Sequence, residues 1–421
     1  MAATLRREAT LDEALAREGE TPLARAIAVT AFRHLGTILD ALGGRLAKGL
    51  PRDPDVMAIL ATGSAQILFL DVPDHAAVDL AVRLAQGSDR TRHLSGMVNA
   101  VLRRIARETE EILPPRRASD ELPDWLAERW RRRWGEARTE ALAAAQLAGA
   151  ALDLSCKAEP ERWAERLGGV LLPGGSIRIL DRRPVTELPG FAEGAFWVQD
   201  ASAAMPARLL AALPGERILD LCAAPGGKTA QLAAAGAAVT ALDRSEDRLE
   251  RLSANLRRLG LEAEIVCADA LAYAAGPFDA VLLDAPCTAT GTLRRHPDIG
   301  WTRAETDIRV LAERQAALLD RAAGLVRPGG RLVYCVCSLE PEEGEAQAEA
   351  FLSRRSDFER APIAAGEAGI AAEMITAEGD LRTLPDLWPE PPVSSSGDGP
   401  PVEGWRPGLD GFFAVRLVRR A

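Results

Sequence analysis

The stretch R-I-L-D-L-C-A-A-P-G-G-K-T, Arg217 to Thr229, constrains the fold of this chain more than any other. Ile218, Leu219 and Leu221 read as a short apolar strand. Pro225-Gly226-Gly227 forces a turn, and Lys228-Thr229 opens an alanine-rich helical run to Ala235. Strand, glycine turn and helix in that order form the opening βα unit of a nucleotide-type fold. Glycine lets the backbone approach a ligand, and the helix N-terminus offers free N–H groups at its positive end. The spacing is neither G-x-G-x-x-G nor G-x-x-x-x-G-K-[ST], which weakens the dinucleotide and P-loop readings.

Beyond Arg208 the pattern predicts alternating strands (217–222, 238–243, 263–268, 278–284, 330–337, 412–418) and helices (228–235, 245–259, 304–326, 342–353). Such alternation is that of a Rossmann-like, doubly wound, mostly parallel sheet, here an α/β domain over 206–421. Residues 1–140 read as all-helical, with apolar residues at helical spacing and breakers at Gly43-Gly44, Pro51, Pro54 and Pro73. Asp74 is a predicted N-cap, as is Ser88 or Asp89. In His93 to Ile105, Leu94, Val98, Val101, Leu102 and Ile105 share one face, with Arg103 and Arg104 off it. Leu113 to Pro123 reads as a linker to a second helical hairpin carrying Trp125, Trp130 and Trp134. Residues 141–205 read as a small α+β insert, closing on a helix capped by Asp200 or Ser202. Residues 388–408, rich in Pro, Ser and Gly, read as a loop.

Composition excludes several classes. A 47% hydrophobic, 27% charged chain of 421 residues is that of a globular protein. No apolar run reaches the ~18 residues of a membrane span. The N-terminal M-A-A-T-L-R-R lacks a signal peptide's apolar core, so the chain is expected in the cytoplasm with its 6 cysteines reduced. A net charge of −10 argues against nucleic acid, but arginines cluster at 103–107, 116–117, 129–133, 182–183 and 294–295. Together these allow one shared basic surface.

Ligands of a doubly wound sheet sit at the C-terminal strand ends. Read along that edge, the strands end at the Cys222–Thr229 loop, Asp243, Asp269, Asp284-Ala285-Pro286-Cys287 and Cys335-Val336-Cys337-Ser338. An acid about 20 residues beyond a glycine turn is placed to accept ribose hydroxyls. Cys156, Cys267 and Cys335 read as inert core thiols. No further Cys or His set accompanies Cys335 and Cys337, so no metal is expected. The dipole of a helix starting near Pro341 would favour a Cys337 thiolate, against which Glu340, Glu342 and Glu343 act.

D-L-C-A-A-P-G-G-K-T, D-A-P-C-T-A-T-G-T-L-R-R-H-P-D-I and Y-C-V-C-S-L-E-P-E-E resemble the motifs of S-adenosylmethionine-dependent RNA cytosine-5 methyltransferases. The match is to the bacterial RsmB (Sun/Fmu) family acting on 16S ribosomal RNA. V-P-D-H-A-A-V and V-N-A-V-L-R-R-I resemble that family's NusB-like RNA-binding domain, and F-W-V-Q-D-A-S-A its entry into the catalytic domain. The resemblance implies that Cys222, Ala223, Ala224, Pro225, Gly226, Gly227 and Lys228 hold the methionine part of S-adenosylmethionine. It places Asp243 at the ribose, Asp269 at the adenine and Asp284 between cofactor and base, with Arg248 also in the cofactor site. Cys337 matches the nucleophile and Cys287 the second cysteine, which releases product. Arg294, Arg295 and His296, with Arg103 and Arg104, are expected to hold RNA phosphates. The insert would recognise RNA, and the protein would act as a monomer on ribosomal RNA, away from membranes.

This chain departs from the family pattern at Val336 (usually Thr), Thr288-Ala289 (usually Ser-Gly), Gly344 (often Asn) and L-D-L-S at 152–155 (usually Arg-Val-Asn). Rival readings are the same chemistry on transfer RNA, a non-catalytic assembly factor with a vestigial fold, and, more distantly, a nicotinamide oxidoreductase.

Overall fold

The structure, a computed structural model, describes residues 1–19, 21–113, 116–181, 183–387 and 405–421. Pro114-Pro115 of the expected linker, Arg182, and 388–404 of the expected loop lie outside the described residues. The chain divides into two compact units, 1–148 with 293–305, and 149–292 with 306–421.

The first unit is helical among its described residues. Thr21 caps Pro22–Arg33 by accepting the Ala24 N–H, and Asp53 caps Pro54–Phe69 through Asp55 N–H. Both helices begin with proline, whose missing N–H is not needed there. Ser95–Arg107 buries Val98, Val101, Leu102 and Ile105 and exposes Arg103 and Arg104, as the periodicity predicts. Two local expectations are corrected. Asp74 is the first helical residue behind an uncapped Pro73. Ser88 and Asp89 precede a 3-10 turn, not the helix itself, which begins at Ser95. The second helical pair is present as Asp124–Leu147, two helices that meet where Gly135 takes φ 75° and ψ 171°.

In the second unit, β1 (Leu152–Cys156), β2 (Val170–Leu171), β3 (Ile177–Ile179) and β4 (Phe196–Val198) form an antiparallel sheet ordered β2-β3-β1-β4. The L-D-L-S segment is β1, and its Asp153 is fully buried in a two-point pair with Arg178 (2.8 and 2.9 Å). Asp153 is therefore committed to the fold. Asp200 caps Ala201–Leu209 by accepting the Ser202 N–H at 2.9 Å.

The large sheet comprises β5 (Arg217–Leu221), β6 (Ala238–Asp243), β7 (Glu264–Cys267), β8 (Phe278–Asp284), β9 (Val326–Val336), β10 (Phe358–Arg360), β11 (Leu381–Thr383) and β12 (Phe412–Arg419). Its order is β10-β12-β9-β8-β5-β6-β7, with β11 also on β12. β9-β8-β5-β6-β7 are parallel, and β12 joins β9 antiparallel. The order reverses between β5 and β8, so the ligand crevice of such a sheet opens where those two strands end. Buried runs such as Leu219, Leu221, Val281, Leu283 and Leu332 reflect a parallel sheet covered on both faces. The short β10 and β11 carry no alternation long enough to read from sequence. Cys267, expected in a core, is exposed on the edge strand β7.

Candidate active site

The turn after β5 is set by its own backbone. Cys222 lies at φ 59° and Gly226 at φ 101°, and a Cβ at Gly226 would meet Leu252 Cγ at 2.6 Å. The turn is then tied to β6: Asp243 accepts Ala224 N–H at 3.2 Å and Ser245 N–H at 3.0 Å. Arg248 donates to Ala224 O and lies 3.4 Å from Asp243. Helix Gly227–Ala234 starts at the turn, so its free N–H groups line this end of the sheet. Burial, then the nearby Asp243 and Asp284, push the Cys222 thiol up to about 12, so it stays protonated.

Thr229 Oγ1 donates to Asp220 Oδ2 at 2.6 Å. Asp220 sits fully buried inside β5, and burial lifts its carboxyl to about 7 despite that bond. The sequence signal for this residue is an acid inside the apolar strand I-L-D-L. Asp269, after β7, is exposed and accepts Leu271 N–H at 3.0 Å.

β8 and β9 bring the reactive groups together. Lys228 Nζ donates to Asp284 Oδ2 at 2.7 Å, and Cys335 Sγ lies 3.5 Å from Asp284 Oδ1. Burial acts to lower the Lys228 ammonium, but the Asp284 carboxylate outweighs it and the net shift is upward. Cys287 Sγ and Cys337 Sγ are 3.5 Å apart. The bond to Cys337, then burial, raise the Cys287 thiol well above its ordinary value.

Local expectations around the sulfurs change. The helix after Cys337 begins at Glu345, not near Pro341, so its dipole does not reach the thiol. Glu343 does not simply face the sulfur: its buried carboxylate bonds Thr288, Ser338 and Gln315. Gly344 has a steric reason, since a Cβ would meet Arg382 Nη2 at 2.5 Å and Phe413 Cγ at 3.0 Å. Val336 is fully buried among apolar side chains.

Arg294, Arg295 and His296 fall in the 293–305 segment of the helical unit. Arg294 is 1% exposed, so its guanidinium is closed to a phosphate in this structure. His296 Nδ1 is 3.1 Å from Asp12, a contact that holds the Asp12 carboxyl down to about 2. Within the arginine clusters, Arg116, Arg117, Arg129 and Arg131 pair with Asp40, Glu136, Glu305 and Glu136 respectively, and Arg183 pairs with Asp181.

The donor set fits a nucleoside bearing a sulfonium. Acids stand at the ends of β6 and β8 and just beyond β7, beside a glycine turn open to close backbone approach. Sheet order, glycine turn and strand-end acids together define the chain as an S-adenosylmethionine-dependent methyltransferase. Residues 207–390 match the model of the 16S rRNA methyltransferase RsmB/F family, and residues 2–107 that of the NusB family. Ribosomal RNA small subunit methyltransferase B of Klebsiella pneumoniae subsp. pneumoniae is 40% identical over 380 residues, 86% of this chain and 81% of that protein. The protein of that name from Xanthomonas campestris pv. campestris is 40% identical over 334 residues, 75% of each chain. The chain belongs to the RsmB/F methyltransferase family. Among solved structures, that described as PH0851 superposes with a TM-score of 0.74 at 24% identity, covering 99% of this chain and 96% of its own. A methyltransferase homolog from Pyrococcus horikoshii gives 0.56 at 28%, covering 70% and 94%.

Proposed function

We propose that this protein methylates carbon 5 of a cytosine in small-subunit ribosomal RNA, through a covalent bond between Cys337 and carbon 6. The observation that carries the reading is the 3.5 Å separation of Cys287 and Cys337 beside the Lys228–Asp284 pair. Carbon 5 of cytosine is too weak a nucleophile to take a methyl group unaided. Addition of the Cys337 thiolate to carbon 6 makes carbon 5 enamine-like. S-adenosylmethionine supplies the sulfonium methyl that carbon 5 takes up. Asp284, held by Lys228, shares a proton with N3 of the base and so stabilises the electron pair that moves onto N3 during addition. Cys287, its own proton given up to solvent, takes the proton at carbon 5 as a thiolate, and the electron pair left behind re-forms the ring double bond and expels Cys337 as a thiolate.

The turn 222–228 with Asp243, Arg248 and Asp269 is the cofactor seat in this reading. Its chemistry supports that assignment: acceptors for ribose hydroxyls and an adenine amine, and backbone N–H groups for the carboxylate. Arg103 and Arg104, exposed on their helix, and Arg295 and His296 are the proposed RNA contacts, and the 141–205 region a proposed recognition surface. The base must be unstacked to reach the sulfurs. A cytoplasmic monomer is the proposed working form; none of the described helices is long and apolar enough to cross a membrane.

Incubation with labelled cofactor and either small-subunit ribosomal RNA or transfer RNA tests the reading. Label at cytosine carbon 5 in ribosomal RNA is the expected result. Label in transfer RNA alone would move the substrate, and none in either would leave the vestigial-fold reading.

A further inference from the structure

The two sulfurs sit on separate loops, one after β8 and one after β9, and nothing covalent sets their distance. Glu343 joins those loops. Its carboxylate is fully buried and accepts four donors from three residues. Thr288, the residue after Cys287, donates its N–H to Oε1 at 2.9 Å and its hydroxyl to Oε2. Ser338, the residue after Cys337, donates its hydroxyl to Oε2 at 2.6 Å. Gln315 Nε2 donates to Oε1 at 3.0 Å and also to Pro286 O, just before Cys287, at 2.9 Å. Glu343 is itself anchored, because Tyr334 of β9 donates to its backbone carbonyl at 2.5 Å.

We propose that Glu343 is the positioning residue that sets the spacing of Cys287 and Cys337, clamping the residue that follows each cysteine to one buried carboxylate. A buried anion is retained only where several hydrogen bonds compensate its lost hydration. Three of these four bonds come from the residues that follow the two cysteines, and the fourth from Gln315, which also holds Pro286 O. The clamp acts through hydrogen bonds and not through its charge, and the two are separable. In Glu343→Gln the amide oxygen accepts from Thr288 N–H and Gln315. Its NH2 donates to the Thr288 and Ser338 hydroxyls, which rotate to accept. Glu343→Ala removes every arm. That the clamp matters to catalysis rests on the methyltransferase reading; the geometry does not.

The test uses the full chain treated with diamide, a diazene that takes two electrons and two protons from a thiol pair. It becomes the hydrazine as the Cys287–Cys337 disulfide forms. Peptide mapping by mass spectrometry follows that bond. Because the rate depends on how closely the sulfurs are held, Glu343→Ala is expected to crosslink about tenfold more slowly and Glu343→Gln within about threefold of the parent. In methylation assays kcat falls roughly 30-fold or more for Glu343→Ala, with KM for S-adenosylmethionine little changed, as for a misplaced reacting group. Glu343→Gln restores most of it. A folded Glu343→Ala that crosslinks at the parental rate overturns the proposal, as does a Glu343→Gln as slow as Glu343→Ala. If Glu343→Ala does not fold, Thr288→Val and Ser338→Ala each remove one arm, and parental crosslinking in both overturns it. A parent that crosslinks as expected but methylates no RNA sinks the reaction assignment while leaving the clamp intact.

Discussion

The ammonium of Lys228 lies 2.7 Å from the Asp284 carboxylate, joining the glycine turn after β5 to the end of β8. Lys228 is nearly buried and Asp284 about one-third exposed, so the pair is only partly screened by solvent. Lys228→Met keeps the stem and removes the cation. It is expected to cost about 1–2 kcal/mol in urea unfolding, below the ~3–5 kcal/mol of a fully buried pair. It should also lower kcat/KM by about a hundredfold, the scale of losing one preorganised charge. Unchanged kinetics would detach the pair from catalysis.

The two cysteines should fail differently. Cys287→Ala removes the proposed base but leaves the nucleophile, so a covalent RNA–protein adduct should persist on a denaturing gel in the presence of cofactor. Cys337→Ala should give neither adduct nor methylated product. Exchanged phenotypes would reverse the roles assigned to these sulfurs.

Asp220 makes stability depend on pH. Its folded pKa, about 7, lies above the 3.8 of a free aspartate. The protonated folded form is therefore favoured at low pH. That contribution is complete below about pH 4 and is lost as pH rises toward 7, on the order of 4 kcal/mol in all. Asp220→Asn should flatten this part of the stability curve. Unfolding midpoints at pH 5 and pH 8 measure it, and identical slopes in parent and variant would contradict the shift.

Ala289 and Gly291, both in the loop after Cys287, should respond oppositely to substitution. Ala289 is held at φ 60°, where a Cβ is disfavoured. Ala289→Gly should gain up to about 1 kcal/mol of stability. Gly291 backs onto Gly411, which donates to its carbonyl at 2.8 Å, and a Cβ there would lie 2.0 Å from Gly411 O. Gly291→Ala should cost about 2 kcal/mol or more, as overpacking against backbone does. Thermal melts of both variants check the pair of signs.

Much of the architecture was legible because it is written locally. The apolar runs of β5, β6 and β8, the helix Glu246–Leu259 with its Ser245 cap, and the buried face of Ser95–Arg107 follow from periodicity and capping within a few residues. The same local logic put Asp243, Asp284, Cys287 and Cys337 on one edge. It failed where helix starts depend on packing, as at Ser95 and Glu345.

By itself, then, the sequence determined the order of elements, the glycine turn and which residue types stand at the strand ends, since burial repeats every two or 3.6 residues along the chain. Only the tertiary structure decided that the sulfurs approach to 3.5 Å and that Glu343 reaches back 55 residues to Thr288. It also decided that Arg294 is buried in the helical unit instead of facing a phosphate. Such relationships join positions far apart in the chain, and local periodicity, which reports only whether a residue is buried, carries no information about its partner.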